Sequence, residues 1–149
     1  MAAESASTGS RQTMRVKVLS PARAAFDGEA AGAVLPAFDG EWGILANHAP
    51  LVAALAAGRL RITRPDGSGA AFAVRGGFAQ VRDNVLTVLT PECAGPGELD
   101  AAAVDAELAR LHGGEAGKSR EECAARARQL AWARACRLVL EGAPSDPKP

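Results

Sequence analysis

The segment Arg59-Leu60-Arg61-Ile62-Thr63-Arg64, the turn Pro65-Asp66-Gly67-Ser68, and then Phe72-Ala73-Val74-Arg75 decides the fold. Leu60 and Ile62 alternate with Arg59 and Arg61, and Phe72 and Val74 lead to Arg75, a period of two that puts apolar side chains on one face and charges on the other. The turn between them has Pro preset at one corner and Gly free to take positive φ, so the two runs form an antiparallel hairpin. The pattern continues on both sides. Val16 and Val18 alternate with Arg15 and Lys17, Phe78 leads into Val81, and a β-branched run follows from Val85. Asp83-Asn84 is a second tight turn, because both residue types tolerate the left-handed region. Short strands at this spacing imply a sandwich or flattened barrel over residues 14–93.

Beyond residue 93 the chemistry changes. Residues 94–99 contain Ala94-Gly95-Pro96-Gly97 and read as a linker, after which the period becomes helical over residues 100–142. Asp100 is placed as an N-cap, and Ala101, Val104, Leu108 and Leu111 share one face as the stripe expected to dock. Gly113-Gly114 is expected to end this helix through a left-handed residue. Ser119 and Glu122 form a capping box for a second helix, with Glu121 and Glu122 in its positive first turn. Gly142 and Pro144 stop that helix. Residues 1–13 and 143–149 read as loose polar tails.

Composition narrows the function classes. The chain has 149 residues, 48% of them apolar but only 4% aromatic, so its core is small and built from Ala, Val and Leu. Seventeen basic side chains balance seventeen acidic ones, which gives no electrostatic footprint for nucleic acid. The three cysteines have no Cys-x-x-Cys spacing, and Cys123 and Cys136 lie thirteen positions apart on one helix, so reduced thiols in a cytosolic compartment are expected. His48 and His112 have no ligand partner one helical turn away, and no metal site is expected. No run approaches the roughly 20 apolar residues of a membrane span. The polar N-terminus lacks the features of a secretory signal or an Arg-rich presequence.

No reactive constellation emerges. Gly117-Lys118-Ser119 imitates a phosphate-cradling loop, but His112 stands where the first glycine belongs, and a helix rather than a strand precedes it. His48 lies in a loop with no nucleophile elbow, and a backbone hydrogen bond is its expected role. Asp39 and Glu41 flank Gly40 in an exposed turn, where two carboxylates lack the burial that separates an acid from a base. A non-catalytic protein without a cofactor is expected. Arg126, Arg128, Arg134 and Arg137 on the second helix read either as a solvated face or as a surface for an acidic partner.

Asp39-Gly40-Glu41-Trp42-Gly43-Ile44-Leu45, followed by Asn47-His48-Ala49-Pro50-Leu51, closely resembles the loop signature of the epsilon subunits of bacterial F-type ATP synthases. Val18-Leu19-Ser20-Pro21, Phe26-Asp27-Gly28, Gly58 and Gly76-Gly77-Phe78 are similar to that family's elements in the same order. The resemblance departs at Asn47, where the family has Gly, and at Asp100-Ala101-Ala102-Ala103-Val104, which lacks the arginine of the family's nucleotide-binding pattern.

The resemblance implies a flattened antiparallel sandwich of about ten strands followed by a two-helix hairpin. It implies a rotor subunit of the central stalk, peripheral to the cytoplasmic face of a bacterial membrane. Its partners would be the gamma subunit, the polar loops of the c-ring and, through the hairpin, the beta subunit, where the helices inhibit ATP hydrolysis. By matching position, Asp39, Gly40, Glu41, Trp42 and His48 would face gamma and the ring, and the hairpin arginines would face beta. Two other readings are kept open: a free-standing sandwich module with a helical adaptor, and a small nucleotide-binding regulator resting on Gly117-Lys118-Ser119 or the hairpin.

Overall fold

The computed structural model describes residues 12–114 and 117–142. The expected tails up to residue 11 and from residue 143, and Glu115 of the hairpin loop, lie outside the described residues.

Eight strands come first: β1 (Met14–Leu19), β2 (Ala24–Ala30), β3 (Gly32–Ala37), β4 (Gly40–Leu45), β5 (Leu51–Thr63), β6 (Gly69–Arg82), β7 (Val85–Leu89) and β8 (Cys93–Ala94). A single 3-10 turn, Pro96–Glu98, leads to α1 (Ala101–Gly113) and α2 (Arg120–Glu141). The strands are ordered β2-β1-β7-β6-β5-β3-β4, with β8 also paired to β6. All pairings are antiparallel except β1 with β7.

The two long strands make this one ribbon a sandwich. β5 and β6, of 13 and 14 residues, pair from Leu51↔Val81 to Thr63↔Gly69, with the register interrupted at Ala56 and Gly76. Gly76 and Gly77 have φ of 74° and 113°, and a Cβ on Gly77 would collide with the Leu89 carbonyl. Only glycine permits that bend. The Leu51 end of β5 and the Arg82 end of β6 lie with β7, β1 and β2. The opposite ends lie with β3 and β4. The core cluster draws Val16, Val18, Leu86 and Val88 from the first layer and Leu35, Leu60 and Ile62 from the second. Counted once in each layer, the bent strands bring eight elements to the ten that the resemblance implied. A Cβ on Gly58 would lie 2.5 Å from Pro36 Cβ, so glycine here sets how closely β3 and β5 approach.

The expected turn chemistry is present. Asp66 Oδ1 accepts from the Ser68 backbone N–H at 2.8 Å and from its hydroxyl at 2.6 Å, which holds the Asp66 carboxyl below its ordinary range. Asp83 and Asn84 both have positive φ, 51° and 60°.

The helix starts also agree: Asp100 accepts from the Ala102 N–H, and Ser119 and Glu122 close a reciprocal capping box. The end of α1 does not follow expectation. Gly113 is its last helical residue, and Gly114 is extended at φ −78°, ψ 153°, so no left-handed residue terminates it. The Leu111 carbonyl instead accepts from the Arg126 guanidinium, a side-chain closure from the opposite helix.

The docking stripe needs a second correction. α2, not α1, lies on the sandwich, over β5 and β6. Ala135, Cys136 and Val139 close on Ala73 of β6 as a cluster separate from the main core, flanked by Trp132, Ala71, Leu99 and Val104. Of the expected stripe only Val104 reaches this seam; Leu111 is buried but lies outside the cluster. Both helices are alanine-rich, and α2 is the one that docks, through Ala135, Cys136 and Val139. The Arg75 guanidinium stacks on the Trp132 ring at 4.7 Å, and Arg59 Nη1 donates to the Leu138 carbonyl at 3.2 Å.

Candidate docking surface

The outward face of the first layer is unusually apolar. Ala54 pairs with Phe78, Phe78 with Leu89, and Leu89 with Leu19. Partners in register point to the same side of a sheet, so these side chains form a band across four strands. Val52, two residues before Ala54, extends it. Val52, Phe78 and Leu89 are 71%, 60% and 52% exposed, far above what apolar side chains inside a fold show. Pro21 and Pro91 join Leu19, Phe78 and Leu89 around a cavity of about 580 Å³ at one end of the band. Contiguous exposed apolar surface of this kind marks a protein-interaction site.

At its other end the band meets the His48 turn. Asn47 takes positive φ, 60°, and its N–H donates to Asn84 Oδ1 at 2.7 Å. Asn84 Nδ2 donates to the Thr13 carbonyl at 2.8 Å, and Asn47 Nδ2 to Gln12 Oε1 at 3.1 Å. Three chain segments are thereby tied together, including Gln12 and Thr13, which the sequence assigned to the loose tail. His48 is exposed, with Nδ1 2.7 Å from the Ala49 carbonyl, the backbone contact expected for it. Its position follows from the turn rather than from any catalytic partner.

The other residues carried over from the resemblance lie elsewhere. Asp39 and Gly40 sit at the start of β4, exposed, whereas the His48 turn follows the end of that strand, about 20 Å away for six extended residues. The two turns therefore sit at opposite ends of β4. Glu41 Oε2 is paired with Arg61 at 2.9 Å, and Trp42 packs its half-buried ring against the core.

The hairpin arginines also divide. Arg126 is held by the Leu111 carbonyl, and Arg137 pairs with Asp105 at 3.2 Å and Glu141 at 3.1 Å. Arg128 and Arg134 are exposed.

The apolar band went unread in the sequence, although a signal was there. Leu51-Val52-Ala53-Ala54-Leu55 and Val88-Leu89 are apolar at consecutive positions, so both faces of those strands are apolar. One face supplies Ala53, Leu55 and Val88 to the interior and the other supplies the band.

Among the described residues no group of three or more His, Cys, Asp and Glu side chains could hold a metal ion, and no helix is long and apolar enough to cross a membrane.

Comparison with known proteins identifies the scaffold. The profile described as "ATP synthase, Delta/Epsilon chain, beta-sandwich domain" matches residues 13–94. The ATP synthase epsilon chain of Dichelobacter nodosus is 42% identical over 96 residues, 64% of this chain and 67% of that one. That of Rhodopseudomonas palustris is 36% identical over 110 residues, covering 74% and 81%. Among solved structures, a chain of the Euglena gracilis mitochondrial ATP synthase OSCP/F1/c-ring assembly superimposes with a TM-score of 0.76 at 21% identity, covering 86% of this chain and 81% of that one. A chain of the Tetrahymena thermophila mitochondrial ATP synthase central stalk and c-ring gives 0.63 at 18% identity, covering 87% and 97%. Sandwich, hairpin, loop signature and sequence relatives agree: this chain belongs to the epsilon-subunit family of the F-type ATP synthases.

Proposed function

We propose that this protein is the epsilon subunit of the central stalk of an F-type ATP synthase, a non-catalytic rotor part that carries c-ring rotation toward the catalytic head. The observation that carries this reading is the apolar band of Val52, Phe78 and Leu89 on a scaffold of that family. Such a band requires a covering partner, and the gamma subunit is the partner proposed for it. The His48 turn continues this face. The Asp39-Gly40-Glu41 corner, at the far end of β4 with Trp42 behind it, is proposed to meet the polar loops of the c-ring. The assembly would place the chain peripherally on the cytoplasmic face of a bacterial membrane.

The hairpin is proposed to leave the sandwich and inhibit ATP hydrolysis at the beta subunit. The small seam supports such a switch: Val139 is its one fully buried large side chain, and burying a valine contributes about 1.5–3 kcal/mol. A gap of that order can be reversed by a partner that prefers the extended form. Arg128 and Arg134 would then act directly on acidic groups of beta. Arg126 and Arg137 would have to exchange their present contacts.

The test is co-purification from the organism's own cells. Tagged chain should retain gamma and the head subunits, and Phe78→Asp should lose them. Retention of no synthase subunit by a folded, tagged wild-type chain would overturn the reading.

A further inference from the structure

β4 runs between the Asp39 corner and the His48 turn, and its outer edge is free. It stands last in the strand order, so among the described residues no strand lies beyond it. It pairs with β3 in unbroken register from Gly32↔Leu45 to Ala37↔Gly40. An unpaired strand edge offers a row of N–H and C=O groups to any extended chain, and folds blunt it with lysine, proline, charge or a bulge. β2, at the opposite end of the order, is blunted in this way. Its pairing with β1 shifts register between Val18 and Leu19, and it carries Asp27 and Glu29. β4 has no lysine, proline or bulge, and its one charge, Glu41, is taken up by Arg61 at 2.9 Å.

The side chains around this edge are those of a contact. Phe38, two residues before β4, is 79% exposed, and Leu45 at its end is 70% exposed. Neither belongs to the band of Val52, Phe78 and Leu89. Glu41, Gly43 and Leu45 share the outward face, while Trp42 and Ile44 turn to the core. A Cβ on Gly43 would meet nothing within 4 Å, so the middle of the strand has open space beside it.

We propose that β4 takes an additional strand from the subunit that covers the apolar band. That partner is the gamma subunit, so the inference rests on the stalk reading. Main-chain hydrogen bonds supply the affinity in such strand addition, and alternate side chains supply the selectivity. The edge calls for about six extended residues, a span of about 20 Å. On the outward face they carry a basic side chain beside Glu41, a bulky one over Gly43 and an apolar one against Leu45. Polar ring loops lack the last two. Leu45 lies two residues before Asn47, in the turn that continues the band, so one partner can cover both surfaces.

Hydrogen–deuterium exchange on the full-length chain, alone and saturated with purified gamma subunit, reads the edge. Peptides covering residues 40–45 should exchange at least tenfold more slowly in the complex. Gly43→Lys and Leu45→Lys put a long cation on the edge at open or exposed positions, so the sandwich stays folded. Each should weaken gamma binding at least tenfold, whereas Gly43→Ala should keep the wild-type affinity. Absence of gamma binding by the wild-type chain would overturn the stalk reading and this inference together. Gamma binding with unchanged exchange in β4, or with full affinity in both lysine variants, overturns the strand addition alone.

Discussion

Val139→Ala probes the seam between hairpin and sandwich. Val139 is fully buried against Ala73, Ala135 and Cys136. Its truncation removes two methyl groups worth about 0.8 kcal/mol each and leaves a small cavity, so docking should weaken by about 2 kcal/mol. That is about a thirtyfold rise in the ratio of undocked to docked protein. Hydrogen–deuterium exchange followed by mass spectrometry reads it directly. Peptides from the C-terminal half of α2 should exchange about tenfold faster, while those of β1 and β7 keep their rates. The two sets separate because Val16, Val18, Leu86 and Val88 belong to the other cluster. Unchanged exchange in α2 would refute the seam. Equal acceleration in β1 and β7 would refute its independence from the core.

Further outcomes follow from single contacts. Gly58→Ala forces a Cβ into Pro36 and should cost about 1–3 kcal/mol of global stability, measured by urea unfolding. Ser119→Ala removes the capping box and should cost about 1 kcal/mol, seen as faster exchange in the first turns of α2. Burial raises the Cys136 thiol above its ordinary value of 9.0, whereas Cys123 is exposed. A maleimide should therefore label Cys123 first, and Cys136 only as the hairpin opens. The folded state holds the Cys136 proton more tightly than the unfolded chain, so the stability it contributes is full below pH 9 and falls as pH rises past it. Cys136→Ala should reduce that alkaline loss in unfolding experiments at pH 8 and pH 10.

Much of this architecture could be read from residue order because local signals agreed with one another. Leu60 and Ile62 point inward and Arg59 and Arg61 outward as alternation requires, and Asp66, Asp83 and Asn84 make the turns their chemistry favours. The helix starts at Asp100 and Ser119 were visible because caps are local. What could not be read depends on packing between distant segments. Alanine-rich helices gave no sign of which would dock, and the choice fell to α2 because Val139 and Cys136 meet Ala73 across the seam. Arg59 and Arg61 read as solvated charges, yet the end of α2 turns them into one side of a cavity. Asp39 and His48 lie nine positions apart in sequence, and the extended β4 between them sets them apart in space.

The apolar band is the feature on which the stalk reading stands, and its affinity for isolated gamma subunit is the most direct measure of it. Wild-type chain should bind purified gamma saturably, and Phe78→Asp should weaken that binding at least a hundredfold, about 2.7 kcal/mol for a central apolar contact made charged. The sandwich should stay folded, because Phe78 lies outside the core. Equal affinity for both proteins would contradict the assignment of this face to the rotating shaft.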